Sequence, residues 1–379
     1  MNPGLNKASL LASAAGAHRL LSLLRDPAQP QQPTLAQWDR IVRIARMGSI
    51  ASCLHARYED AGALDRLPVA VNRQLRSERN IAAHRAGMAR WILEHVTSVL
   101  APLGIEPVVL KGAAWLVQEA PWGRGRMLSD VDLMVSAADL ARAEAALVQS
   151  GWSTGELDAY DERYYREWSH ELPPLRHPDF PLAIDLHHTI LPVTSRLKPD
   201  AGALMAAAVK VPGTSLRVLA PEDQLLHASC HLFEDSDLWQ QMRDLLDIDA
   251  MLRAGAMDPH FDARLAAAAA RHGLHRPLFY GLHYSRRFLG SPIPAQAARL
   301  ATRRARPLFP GMVVMDALVT RSLLPAAPDQ PTGRARRWAR RALKTRYFLR
   351  RFPPRLLVRH LWMKRFGLRG PLAAGQGSG

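Results

Sequence analysis

The sequence is poor in cysteine and has no long apolar run. Its 379 residues include two cysteines, Cys53 and Cys230, which excludes a disulfide framework and a zinc site built from several thiolates. No run of about 18 uncharged apolar residues occurs. The best candidate, 311–325, contains Asp316 and Arg321, so we predict no transmembrane helix. With 28 prolines and 24 glycines, the composition fits neither a collagen-like nor a low-complexity class, and the chain is long enough for two domains or one elaborate one.

Acidic residues are missing from the C-terminal end of the chain. Residues 330–379 contain fourteen Lys and Arg and no Asp or Glu, whereas the first 329 residues hold 36 basic and 34 acidic side chains. The formal net charge of +16 at pH 7 therefore belongs almost entirely to this segment. As an average, such a charge indicates nucleic-acid binding. Its location indicates instead a nearly neutral body that carries a separate basic extension.

The N-terminal residues have some features of a signal peptide. Lys7 precedes the alanine-rich stretch 8–17, which has cleavage-like spacing. The apolar stretch is weak, however, and it continues through His18 and Arg19 into 20–24 with helical periodicity. We therefore expect a cytoplasmic protein.

Hydrophobic periodicity divides the chain into helical and mixed parts. Apolar residues recur at helical spacing over 71–100 and again from Pro221 to about residue 289, whereas 104–195 alternates short strand-like and helical stretches. The pattern predicts an α+β protein in which helical segments flank a small mixed β-sheet. The expected parts are an N-terminal helical region at 1–100, the α/β core at 101–200, a second helical region at 201–300 and the basic amphipathic extension at 301–379.

The first chemical feature is a strand that ends at a glycine. A short apolar run at 107–110 meets Lys111 and Gly112, and a helical pattern follows at 113–119. The pattern predicts a buried strand, a glycine turn and then a helix. Glycine lets the backbone approach a ligand closely, and the N–H groups at a helix start suit phosphate oxygens. Lys111 and, after a loop, Arg126 add positive charge near this turn.

The second feature is a set of three carboxylates. Ser129 precedes Asp130 and Asp132, which are two residues apart at the start of a predicted strand at 131–135. Side chains two apart on a strand point to the same face, so the carboxylates repel each other unless a cation lies between them. Oxygen ligands of this kind suit Mg²⁺ or Mn²⁺. Asp185 lies in another apolar strand; if the two strands are neighbours, three carboxylates converge as two-metal phosphoryl transfer requires.

The order of these features resembles the nucleotidyltransferase fold of DNA polymerase β-like enzymes. The resemblance is closer to a family of uncharacterised bacterial nucleotidyltransferases. The residues that match its motifs are Leu110-Lys111-Gly112, Arg126, Asp130-Val131-Asp132 and Asp185-Leu186-His187. The similarity covers about residues 80–290, and the basic residues after 330 lie outside it.

The resemblance implies transfer of NMP from an NTP, such as ATP, to an unknown acceptor, with release of pyrophosphate. It implies that Asp130 and Asp132 hold metals on the triphosphate. Asp185 would bind the catalytic metal and help to orient or deprotonate the acceptor, and Gly112 with the helix start would cradle phosphate. The superfamily usually has serine after this glycine. Here the residue is Ala113, so a hydroxyl contact to phosphate is lost.

Several of these residues also have simpler interpretations. Lys111 either contacts phosphate or is a solvated lysine at a strand end. Arg126 either adds positive charge at the phosphate site or forms a structural salt bridge with an aspartate. Ser129 either lines the site or caps the local backbone. By strand parity His187 shares the face of Asp185, and it either lines the site or is a structural histidine. The same fold without turnover would give a module that binds a nucleotide or docks a partner, but three clustered carboxylates favour an enzyme.

Further downstream, two histidines lie four residues apart on a predicted helix. His227 and His231 have a spacing that is compatible with zinc, with packing or with a substrate contact. Position 228 is Ala228, so the glutamate of a metalloprotease motif is absent. On the next predicted helix we expect a solvated acidic face formed by Asp244, Asp247 and Asp249.

The basic extension contains two amphipathic pieces within residues 330–370, which Pro353-Pro354 separates. The apolar stripe of the first is Trp338, Ala339, Ala342 and Leu343; that of the second is Leu357, Leu361, Trp362 and Phe366. Basic amphipathic helices with tryptophan suit an anionic membrane surface, which would make the protein peripheral at the membrane. They also suit the phosphates of a nucleic acid. The third alternative is a helical pair that packs on the body with a solvated basic face.

Overall fold

The computed structural model describes residues 15–235, 238, 241–326 and 333–358. Its N-terminal part is helical: α1 spans 15–25, α2 Leu35–Met47, α3 Ala51–Asp60 and α4 Val69–Leu100. A capping box begins α2, because the Thr34 hydroxyl accepts a hydrogen bond from the Gln37 N–H and the Gln37 side chain accepts one from the Thr34 N–H. The long helix α4 buries one stripe of apolar side chains, as the periodicity over 71–100 predicts.

Within the described residues, six short strands form one mixed sheet in the order β3-β4-β2-β1-β6-β5. The strands are β1 Val108–Val109, β2 Asp130–Met134, β3 Leu175–His177, β4 Phe180–His187, β5 Val209–Lys210 and β6 Arg217–Val218. β2 is parallel to β4 and antiparallel to β1, and β3 and β4 form an antiparallel hairpin. The predicted α+β class with a small mixed sheet is therefore confirmed.

Helices surround this sheet and continue after it. The helices between and after the strands are α5 Lys111–Val117, α6 Leu140–Gln149, α7 Ala159–Trp168, α8 Ala201–Ala207, α9 Pro221–Phe233, α10 Met242–Gly255, α11 Phe261–Arg271, α12 His275–Leu289, α13 Ala295–Ala305, α14 Phe309–Leu323 and α15 Arg334–Arg351. Buried apolar side chains from Ala17 to Leu343 form one cluster, so the helices and the sheet share a core. Within the described ranges no helix is both long and apolar enough to cross a membrane.

The basic helix α15 packs on the body along one side. Ala339, Leu343 and Tyr347 are buried, whereas Trp338 is 69% exposed. The predicted apolar stripe is therefore divided, because Trp338 lies on the solvent side of the helix. In the second amphipathic piece Leu357 is half-buried, whereas Leu361, Trp362 and Phe366 lie outside the described residues.

The C-terminal part of α15 contacts the body through arginine side chains. Arg350 Nε lies 3.1 Å from Glu234 Oε2, and Arg346 donates a hydrogen bond of 3.2 Å to the carbonyl of Phe233 at the end of α9. The Arg351 guanidinium lies 5.1 Å from the ring centroid of Tyr164 on α7. The basic helix is thus a structural part of the protein as well as a charged surface.

Candidate active site

The two strands that carry the predicted carboxylates are neighbours. β2 and β4 pair in parallel, with Asp132 beside Asp185 and Met134 beside His187. Paired residues of adjacent strands project from the same face of a sheet, and residues two apart on one strand do so as well. Asp130 therefore shares the face of Asp132, Asp185 and His187.

Lys111 is paired with the central carboxylate of this face. Its Nζ lies 2.7 Å from Asp132 Oδ1, and its side chain is only 16% exposed. Burial alone would lower the pKa of Lys111, but Asp132 and Asp130 raise it. Burial alone would likewise raise the pKa of Asp132, whereas Lys111 and His187 hold it well below its usual range. Both groups are therefore charged, and Lys111 is not the solvated lysine of the simpler interpretation.

His187 lies between two carboxylates and is fully buried. Its Nε2 is 3.0 Å from Asp132 Oδ1, and its Nδ1 is 3.4 Å from Glu171 Oε2. Burial tends to lower the pKa of His187, but the hydrogen bond with Asp132 and the charge of Glu171 raise it above its usual value. Its orientation agrees with the strand parity that the sequence predicts.

Asp185 is the carboxyl group whose charge is least compensated here. Burial and the negative charges of Asp132, Glu171 and Asp130 raise the pKa of Asp185 to about 7. Its Oδ1 is buried without a hydrogen-bond partner among the described residues. An orphaned carboxylate oxygen beside further carboxylates fits an oxygen-coordinated divalent cation such as Mg²⁺ or Mn²⁺. A carboxyl with a pKa near neutral pH also suits general-base chemistry.

Arg126 is buried in ion pairs with α10. Its Nε lies 2.9 Å from Asp247 Oδ2 and its Nη2 lies 3.6 Å from Asp244 Oδ1. The guanidinium also stands 4.9 Å from the centroid of the Trp115 ring. Of the two interpretations of Arg126, the structure therefore shows the pairing with aspartate.

The acidic residues of α10 are buried, so the prediction of a solvated acidic face is wrong. Asp244, Asp247 and Asp249 are at most 4% exposed. His231 Nδ1 lies 3.0 Å from Asp244 Oδ2, and Arg57 Nη2 lies 3.0 Å from Asp249 Oδ2. The prediction failed because Arg57 and Arg126, which pair with Asp249 and Asp247, come from elements distant in sequence.

The remaining predicted site residues lie at two places: at the glycine turn between β1 and α5, and directly before β2. Gly112 and Ala113 are buried in the first turn of α5, and Lys111 before them has φ of 48°. A Cβ on Gly112 would overlap the Arg126 guanidinium. Ser129 is exposed directly before β2. Gly112 thus makes room for an arginine, and a phosphate role for Gly112 and Ala113 stays a prediction.

A narrow pocket with a cavity volume of about 20 Å³ lies between β1, α5, α9 and α10. Its lining includes Lys111, Trp115, Gln224, His227 and His231. Burial, followed by the charges of Lys111 and His187, holds the pKa of His227 well below its usual range. His227 and His231 therefore line a pocket beside Lys111, and His231 is already paired with an aspartate of α10.

Two residues of this region were not identified from the sequence. His170 and Glu171 form an irregular segment in which Glu171 bridges to His187 at the end of β4. The His170 and His187 rings are 5.1 Å apart. The backbone before Pro173 is irregular and has no periodicity, so no pattern in the sequence marks these two side chains as part of the site.

One comparison with known proteins gives a match. A family model described as uncharacterised nucleotidyltransferase matches residues 34–290. This range contains the whole sheet and the helices from α2 to α12, and it excludes α13, α14 and α15. No curated protein and no solved structure matches the chain.

Proposed function

Because the chain belongs to the uncharacterised nucleotidyltransferase family, we propose that it transfers NMP from an NTP to an acceptor with release of pyrophosphate. The register of β2 and β4 carries the proposal, since it sets Asp132 beside Asp185 with Asp130 on the same face. Three carboxylates, of which Asp185 has a buried oxygen without a hydrogen-bond partner among the described residues, form a donor set for Mg²⁺ or Mn²⁺. We assign Asp130, Asp132 and Asp185 to this metal site.

In the proposed reaction Asp185 is the general base. Its carboxylate takes the proton of the acceptor group as that group attacks the α-phosphorus. The bond from the α-phosphorus to the bridging oxygen breaks, and pyrophosphate leaves with the electron pair. A pKa of about 7 matches this role at neutral pH. Divalent metal, when bound, supplies positive charge to the phosphates.

The other residues are assigned to the phosphates or to support. Lys111 and the backbone N–H groups of Gly112 and Ala113 are the proposed phosphate contacts. Arg126 holds the glycine turn through its pairing with α10 and so acts as a positioning residue. Ser129 and His187 stay predicted contacts at the edge of the nucleotide site.

A second candidate function, binding without turnover, is favoured by one contact. The Lys111 ammonium lies 2.7 Å from Asp132 Oδ1 and so already places a cation on a carboxylate that the metal would need. A protein in which this ion pair persists would bind a nucleotide or a partner without transferring NMP.

Incubation of the purified protein with Mg²⁺ or Mn²⁺ and each α-labelled NTP tests these functions. The label is sought on the protein itself and on metabolites extracted from the source cells. The double variant Asp130→Asn with Asp132→Asn is the control, and label transfer that persists in it would contradict the site assignment. Saturable NTP binding by the native protein without transfer in any extract would favour the second candidate.

We also propose that α15 docks the protein on an anionic membrane surface. The exposed side of the helix carries Arg334, Arg341 and Lys344. They belong to the segment 330–379, which contains no acidic residue. On the same side Trp338 is 69% exposed and Leu349 is 53% exposed. Cationic side chains with exposed tryptophan and leucine match the boundary between lipid headgroups and acyl chains. Phosphates of a nucleic acid offer charge but no apolar layer for Leu349.

A further inference from the structure

A mixed set of metal-ligand side chains lies at the edge of the carboxylate face. Among the described residues, His170, Glu171 and His187 form a trio whose ligand atoms all lie within 4.8 Å of one another. Glu171 Oε2 is 3.5 Å from His170 Nε2 and 3.4 Å from His187 Nδ1. Two ligands that hold Zn²⁺ at about 2.1 Å with tetrahedral angles lie about 3.4 Å apart. The glutamate oxygen is therefore at ligand spacing from both imidazoles.

The contacts of His187 fix which of its nitrogens is available as a ligand. The Asp132 oxygen that faces this ring also accepts a hydrogen bond of 2.7 Å from Lys111 Nζ, so it acts as an acceptor toward both side chains. The Nε2 atom of His187, 3.0 Å away, therefore carries the proton in the neutral ring. Its Nδ1 then bears a lone pair, is buried and has no hydrogen-bond partner in the part of the chain that the structure describes. A carboxylate that orients a histidine through its other nitrogen is the usual outer contact of a metal-bound imidazole.

We propose that His170, Glu171 and His187 bind a divalent transition-metal ion, with Zn²⁺ as the preferred one, separately from the Mg²⁺ site of the three aspartates. Two imidazole nitrogens and one carboxylate oxygen are softer donors than an all-carboxylate set and suit Zn²⁺ better than Mg²⁺. Because three protein ligands leave one tetrahedral position open, the ion would accept an anionic oxygen of a ligand.

The location of this ion is set by the segment that carries Glu171. Glu171 is opposite His187 in an antiparallel bridge, and Asp185 is two residues before His187 on β4. The side chains of His170 and Glu171 are 20% and 25% exposed, so a ligand can reach them from solvent. A phosphate or carboxylate group of an acceptor is the chemical class that fits the open position.

The test is Zn²⁺ binding by the full chain, stripped of metal and freed of its purification tag. Affinity is measured by competition with a coloured chelator, and the metal content of the protein as isolated is measured by mass spectrometry. We expect one Zn²⁺ per chain, and a loss of affinity on the order of 100-fold in His170→Ala and in Glu171→Gln. Bound Co²⁺ is expected to show tetrahedral visible absorption that both variants lose.

Two controls separate this site from its surroundings. His188→Ala removes the neighbouring histidine, which by strand parity lies on the other face of the sheet, and should leave Zn²⁺ affinity unchanged. Asp130→Asn affects the proposed Mg²⁺ site and should also leave it unchanged. Equal Zn²⁺ affinity in the native protein and His170→Ala, or equal losses in His170→Ala and His188→Ala, would overturn the proposal. These readouts do not depend on NMP transfer, so failure of either proposal leaves the other testable.

Discussion

The guanidinium of Arg126 fills the space beside Gly112 in which a side chain would have to lie. A Cβ at Gly112 would overlap this guanidinium and come within 2.5 Å of a Leu128 methyl carbon. We expect Gly112→Ala to lower the free energy of unfolding by about 1–3 kcal/mol, the usual cost of overpacking. Urea unfolding measures the change.

Gly87 is the matched control for this substitution. It lies within α4, and a Cβ there would meet nothing within 4 Å. Gly87→Ala should therefore raise the free energy of unfolding by up to about 1 kcal/mol through helix propensity. Equal effects of the two alanines would show that Arg126 does not need the space at residue 112.

The ion pair between Arg126 and Asp247 is expected to be costly to break from one side. Both side chains are at most 7% exposed, so Asp247→Ala leaves a buried guanidinium with weaker compensation. We expect a loss of about 3–5 kcal/mol in the free energy of unfolding. The control Asp39→Ala breaks an exposed pair with Arg43 and should cost at most about 1 kcal/mol. Similar losses in both variants would contradict the structural role of Arg126.

The sequence predicted the features of the site that depend on local periodicity. Strand alternation placed Asp130 and Asp132 on one face and His187 on the face of Asp185, because a side-chain period of two is readable within five residues. The sequence did not predict the burial of Asp247, because its partner Arg126 is 121 residues away. Long-range pairing leaves no periodic trace in the sequence.

Irregular backbone limited the prediction in a second way. His170 and Glu171 lie outside any regular element, and only the bridge to His187 brings them to the site. For the basic segment the sequence likewise predicted the charge but not the packing. The side of α15 that faces the body is set by contacts of its arginines with Tyr164, Tyr280 and Glu234, which belong to other elements.

Buried His227 should make stability depend on pH. Its folded-state pKa is held well below the usual value, whereas in the unfolded chain it titrates near about 6.5. As pH falls below about 6.5, only the unfolded chain takes up this proton, so the free energy of unfolding falls by up to about 1.4 kcal/mol per pH unit. His227→Gln should reduce this slope by nearly one proton in urea unfolding between about pH 7 and pH 5.

His260 is the control for the pH experiment, because it is exposed on the surface. His260→Gln should leave the slope as it is in the native protein. An unchanged slope in His227→Gln would show that His227 takes up its proton in the folded state.

Membrane docking through α15 is testable by removing charge without removing the helix. Truncation before residue 330 would uncover the apolar surface that Leu343 and Tyr347 cover, so charge substitutions are cleaner. We expect the triple variant Arg334→Gln, Arg341→Gln and Lys344→Gln to bind anionic vesicles more weakly by about 1 kcal/mol per removed charge. Vesicle sedimentation at several salt concentrations measures the loss.

Three exposed arginines of α13 serve as the matched control, since their loss lowers the net charge equally. The variant with Arg299, Arg303 and Arg304 replaced by Gln should keep native vesicle affinity. Equal losses in the two triple variants would contradict a specific docking face. Binding to nucleic acid but not to vesicles, lost in the α15 variant alone, would replace the membrane with a nucleic acid as partner.

The ion pair between Lys111 and Asp132 links the metal to stability. Lys111→Met leaves the Asp132 carboxylate buried beside Asp185 with less positive charge, so without metal the free energy of unfolding should fall by about 3 kcal/mol. Mg²⁺ should restore part of this loss, because a cation that binds only the folded state stabilises it. We therefore expect Mg²⁺ to raise the melting temperature more in Lys111→Met than in the native protein or in Lys210→Met, whose lysine is exposed on β5. An equal Mg²⁺ effect on the melting temperature of all three proteins would mean that Mg²⁺ does not bind at the aspartates beside Lys111.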